Sequence, residues 1–127
     1  MRRRVGAALM CAALIAAPGA AMSHHSFAMF DQDSPIELEG TVQEFKYTSP
    51  HTFILLQVKS QDGSITLWNL EGATPGALVR DGWSAKSLKS GDEIRIKVAP
   101  LRSGAPGGSW TPQDTRFRDG KPIVLSP

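Results

Sequence analysis

The sequence predicts a mainly β fold: a small five-stranded OB-like barrel with one short helix between strands 3 and 4, preceded by a signal peptide. Three observations predict it. Apolar and polar residues alternate at Ile36-Leu38-Gly40-Val42 and again at Ile94-Ile96-Val98, the two-residue period of half-buried strands. Thr74-Pro75 and Gly82 bracket a short stretch with helix start and stop signals. Roughly 100 residues beyond the leader make one modest domain, and closure removes the long sheet edges that so small a domain would otherwise expose. An open β-sandwich is the alternative built from the same strands.

Met1 to Ser23 has the parts of a secretory leader. Arg2, Arg3 and Arg4 form the basic start, Val5 to Ala17 the apolar run, and Pro18-Gly19-Ala20-Ala21 the small-residue exit. A spanning helix needs about 20 apolar residues, so this run is too short, and no stable membrane span is expected in the mature chain. Cys11 lies within the apolar run behind Met10 and reads as a leader residue, not a lipid anchor. The paired arginines precede Val5-Gly6, a poor match to twin-arginine export. The expected location is periplasmic or secreted. Two cuts satisfy the small-x-small rule: one after Ala21 leaves Met22 first, and one after Ser23 leaves His24 first. The domain organisation follows as leader 1–23, histidine-containing arm 24–34 and barrel domain 35–127.

Strand 1 runs from Pro35 until its phase slips after Gln43-Glu44, where Phe45 and Tyr47 take the apolar positions; a bulge or sharp bend explains the slip. Thr48-Ser49-Pro50 ends it. Strand 2, His51 to Lys59, is too densely apolar for one wet face. Gln61-Asp62-Gly63 makes a hairpin turn into strand 3, Ser64 to Glu71. In the helix that follows, Leu78, Val79 and Trp83 are expected on the buried side. Ser87 to Asp92 turns the chain into strand 4. Gly104 to Gly108 reads as a flexible loop, and Trp110 to Arg118 with Lys121 to Leu125 as a last hairpin about Asp119-Gly120.

Composition narrows the function classes. Of 14 basic residues three are Arg2 to Arg4, so the remaining 11 face 12 acidic ones and the exported chain is close to neutral. Export and that charge argue against a nucleic-acid partner. With Cys11 in the leader, the mature chain has neither disulfide nor thiolate metal site.

Several stretches are shared with a known family. His24-His25-Ser26-Phe27-Ala28-Met29-Phe30-Asp31, Gly40-Thr41-Val42, Ser49-Pro50-His51, Trp68, Glu71-Gly72, Gly82-Trp83 and Leu88-Lys89-Ser90-Gly91-Asp92 carry the likeness. On these the chain resembles the small secreted bacterial proteins grouped as the domain of unknown function numbered 6152. The resemblance covers nearly all of the mature chain. It implies periplasmic or extracellular location and a small β fold, and it implies no activity. Relatives have a small residue and then His-His, whereas this chain has Met22-Ser23 first.

The candidate ligating residues are His24, His25 and His51, with copper the candidate ion, because neutral imidazole is the commonest protein ligand for copper and zinc. Adjacent side chains in an extended segment point to opposite sides, so His24 and His25 do not share one ion in a straight strand. With His24 first, its amine and imidazole chelate together and His25 or His51 supplies a third nitrogen. With Met22 first, His24 is the third residue, and amine, two backbone amides and imidazole make a square-planar Cu(II) or Ni(II) site. Met29 is a candidate soft ligand for Cu(I), though a core position is its expected role.

The plainer reading is a solvated histidine pair and a His51 that caps backbone groups at a strand start. Trp68, Trp83 and Trp110 are expected in the core rather than in a ligand groove. Asp31, Asp33, Glu37 and Glu39 read as a solvated acidic face, and Lys86, Lys89, Arg95 and Lys97 as ordinary surface. Glu71 stands as a lone acid with no base or nucleophile at a telling spacing. The leading expectation is a non-enzymatic periplasmic binding module, with copper its candidate ligand. A domain that holds a periplasmic protein or glycan without metal is the second, and a copper-dependent oxidative enzyme the third.

Overall fold

The computed structural model describes residues 27–124. The expected leader, His24, His25 and Leu125 lie outside them. Five strands, β1 (Ile36–Lys46), β2 (Phe53–Lys59), β3 (Ile65–Glu71), β4 (Glu93–Pro100) and β5 (Gly107–Phe117), close into a barrel in the order β1-β2-β3-β5-β4. All neighbours are antiparallel except β3 and β5, which meet in a short parallel pairing of Asn69, Leu70 and Glu71 with Gly107, Gly108 and Ser109. One helix, α1 (Pro75–Arg80), lies between β3 and β4.

The alternation predicted from sequence points the apolar set inward. Leu38 and Val42 of β1, Ile54 and Leu56 of β2, Leu70 of β3, Ile94, Ile96 and Val98 of β4 and Trp110 of β5 are buried together with Leu78, Trp83 and Leu88. The phase slip in β1 is a register shift between Val42 and Glu44, after which Phe45 faces Ile54. A second shift, between Ile96 and Val98 of β4, lets β5 carry Pro112 without a ladder donor. The turn before β3 places Gly63 at φ +85°, which only glycine adopts without strain.

Four expectations are corrected. Gly107 and Gly108 belong to β5 rather than to a flexible loop. A Cβ on Gly108 would stand 2.7 Å from the Ala99 carbonyl oxygen, so this glycine permits the close backbone approach that closes the barrel. Val79 is 60% exposed. A helix of six residues has one buried turn position, and Leu78 occupies it, while Trp83 returns to the core past Gly82. Met29 is exposed rather than core; the neighbouring Phe30 is buried instead and bridges to Leu101. Lys121 to Val124 carries no strand of its own, only an isolated bridge from Pro122 to Arg116.

No helix among the described residues is long and apolar enough to cross a membrane.

Candidate functional site

One end of the barrel is finished by an aromatic group. Trp83 and Trp110 meet at 5.2 Å between ring centroids, and Phe45 stands edge-on to both at 6.0 and 6.2 Å. Tyr47 leans on Phe45, and its hydroxyl donates to the Pro75 carbonyl at 3.0 Å, tying the end of β1 to the start of α1. The Thr74 hydroxyl caps that helix by accepting from the Ala77 amide. These contacts hold the β3–α1 connection against the loop that leads into β2.

That loop is fastened by Thr52, which is fully buried. Its amide and its hydroxyl both donate to the Ala73 carbonyl, at 3.1 and 2.9 Å, and its own carbonyl accepts from the Gly72 amide at 2.8 Å. The β2–β3 ladder is thereby extended one step past Phe53↔Glu71. His51 and Phe53 project to the same side of an extended segment, so Glu71, opposite Phe53, becomes the diagonal neighbour of His51.

The two side chains meet: His51 Nδ1 bonds to Glu71 Oε1. A carboxylate only accepts, so Nδ1 is the donor of this bond, and Nε2 is the ring nitrogen that Glu71 leaves unengaged. Glu71 is therefore not a lone acid, and His51 does not cap backbone groups. The expectation failed because twenty residues separate the pair in sequence, and only the strand register joins them.

His51 and Glu71 line a cleft of about 520 Å³. Phe27, Phe30, Ala73, Ala77 and Trp110 make its walls mostly apolar, and Gln32, Ser109 and Thr111 give it a polar side. Gln32 Nε2 donates to Ser109 Oγ across that side at 3.3 Å. Gly72 lies under Trp110, whose indole Nε1 is buried with no partner among the described residues. A volume of this size suits a small ligand, and a buried unpaired donor is uncommon enough to mark the place.

Of the three histidines expected to hold metal, His51 is in this cleft, and His24 and His25 lie outside the described residues. Among the described residues no three His, Cys, Asp or Glu side chains cluster as an ion-binding group. Phe27, the first described residue, lines the same cleft as His51. Of the tryptophans, Trp83 and Trp110 are core as expected, yet Trp110 also walls the cleft, while Trp68 is half-buried. Sequence reasoning missed Gly72 and Trp110 as a contact pair, and no local signal announces it. The acidic strand face is not simply solvated: Arg95 reaches Glu37 and Glu39, and Arg118 binds Glu39 and Glu93.

No curated protein matches the chain. Among solved structures the fold is similar to that of the mitochondrial single-stranded DNA binding protein Rim1 of S. cerevisiae, at 10% identity over 67% of this chain and 93% of that one, with a TM-score of 0.50. The likeness is one of fold, the OB-type barrel. A model of the family of unknown function DUF6152 matches residues 11–110, and on that match the chain belongs to this family.

Proposed function

We propose that this protein is an exported, non-enzymatic binding module that takes up copper at the His51 cleft, with His24 and His25 as the other candidate ligands. The observation that carries the reading is the His51–Glu71 pair beside Phe27. A carboxylate on one ring nitrogen orients the imidazole and leaves the other nitrogen to face a ligand; metal-binding histidines are commonly held this way. His24 is three residues before Phe27, and three residues span at most about 10 Å, so the start of an exported chain is within reach of the cleft. Copper suits a donor set of imidazoles and an amine. The leader and the periplasmic or secreted location belong to the same reading.

The apolar walls favour a second reading, in which the cleft holds an apolar side chain or ring of a protein or glycan partner and metal plays no part. A nucleic-acid partner fits less well, although Rim1 by its name binds single-stranded DNA. Binding of single strands needs a basic groove with stacking aromatics. Here Arg95 and Arg118 are engaged by glutamates, and the Glu39 contact holds the Arg118 guanidinium above its ordinary range. The oxidative-enzyme reading additionally requires His24 at the N-terminus and an open coordination position, and it ranks third.

Calorimetric titration of the exported protein with Cu(II), after intact mass has identified its first residue, tests the reading. One equivalent is expected to bind, with affinity at least about tenfold lower in both His24→Ala and His51→Ala, as loss of a ligand demands. Equal binding by wild type and His51→Ala removes copper from the cleft and leaves the second reading.

A further inference from the structure

Among the described residues, strand β3 is paired along only part of one edge. Its parallel partner β5 covers Asn69, Leu70 and Glu71, and the Asn69 amide donates to the Pro106 carbonyl at 3.2 Å. Backbone groups alternate sides along a strand, so Leu67 and Ile65 direct their N–H and C=O the same way as Asn69, out along the uncovered edge. No described residue takes up those four groups. The two side chains beside them are exposed large hydrophobics, Ile65 at 63% and Leu67 at 43%. From Ser64 to Asn69 there is no charge, proline or glycine. Those are the devices that keep a sheet edge from pairing, and this segment has none of them.

We propose that this edge is an interface at which a second copy of the chain adds its own β3, antiparallel, about a two-fold axis through Thr66. In that register the Leu67 amide donates to the carbonyl of the partner's Ile65, and the Ile65 amide of the partner donates back to the Leu67 carbonyl. The symmetric pair repeats this, giving four backbone bonds and satisfying all four free groups of each copy. On the outer face Ile65 packs against the partner's Leu67, twice over, and the two Thr66 residues face each other across the axis.

A second copy fits better than a foreign strand. An isologous antiparallel pair is complementary to itself by symmetry, and an uncharged segment neither repels its own copy nor offers a charge to select another partner. The pairing also stops by itself. The next edge position on one side, Asn69, is bonded to Pro106, and the one on the other, Gly63, has turned away with φ +85°. So short an interface makes a reversible dimer rather than an obligate one.

Sedimentation equilibrium of the exported protein, from roughly 10 μM to 1 mM, is the test. Wild type is expected to show a concentration-dependent dimer. Ile65→Lys with Leu67→Lys places lysines opposite each other and is expected to weaken it at least tenfold. Ile65→Glu with Leu67→Lys places opposite charges there and is expected to restore it. Both positions are exposed, so the variants retain the barrel, which circular dichroism verifies. A wild type that is monomeric throughout, a dimer indifferent to the paired lysines, or a Glu/Lys variant no better than the Lys/Lys one overturns the proposal.

Discussion

Gly72 lies flat against the indole of Trp110: a Cβ on Gly72 would come within 2.5 Å of both Cε2 and Nε1 of that ring. Both residues line the cleft, and Trp110 in turn packs on Trp83 and Phe45, so the ring cannot retreat without disturbing the barrel end. Gly72→Ala is therefore expected to cost about 1–3 kcal/mol, the range of an overpacked core. Urea unfolding followed by tryptophan fluorescence measures it; a variant as stable as wild type shows that the indole has room to move.

Glu71→Gln keeps the size of the side chain and removes the carboxylate from His51 Nδ1. If copper binds through Nε2, its affinity is expected to fall about 10- to 100-fold, with the unfolding midpoint little changed. Competition with a copper chelator reads the affinity, and thermal melting reads the fold. An unchanged affinity separates the carboxylate from the metal.

Leu78 and Val79 are sequence neighbours with opposite fates. Leu78 is fully buried against the core, and Val79 faces solvent. Leu78→Ala is expected to destabilise by about 2–5 kcal/mol through lost transfer and a residual cavity. Val79→Ala is expected to stay within about 0.5 kcal/mol of wild type. Paired denaturant curves check both, and similar losses at the two sites contradict this placement of α1.

Thr52→Val removes the hydroxyl that donates to the Ala73 carbonyl and leaves the backbone bond to the same atom. The expected loss is about 0.5–1.5 kcal/mol, the net worth of one hydrogen bond. Because Thr52 fastens the segment carrying His51 to the segment carrying Glu71, the imidazole proton resonances of His51 are expected to shift as well. Unmoved resonances show that the pair is positioned by other contacts.

Local physics made most of the elements legible in the sequence. Alternation at Ile36 to Val42 and at Ile94 to Val98 identifies strands because the side-chain period of a strand is two. The slip at Gln43-Glu44 marks the bulge, and Thr74-Pro75 and Gly82 mark α1, because caps and breakers act on their own few residues. What depends on long-range pairing was not legible. The parallel β3–β5 contact closes the barrel across nearly forty positions of chain, and it makes strand of Gly107 and Gly108, whose composition alone reads as loop. Glycine serves flexibility and close approach equally well, and only the neighbour's backbone decides between them. Glu71 acquires His51, and Gly72 acquires Trp110, through register and closure in the same way. Sequence determined the strands and their inward faces because those follow from neighbours along the chain. The tertiary structure alone decided which polar groups meet at the cleft and which part of β3 pairs with β5, because contacts between distant residues exist only once the sheet has closed.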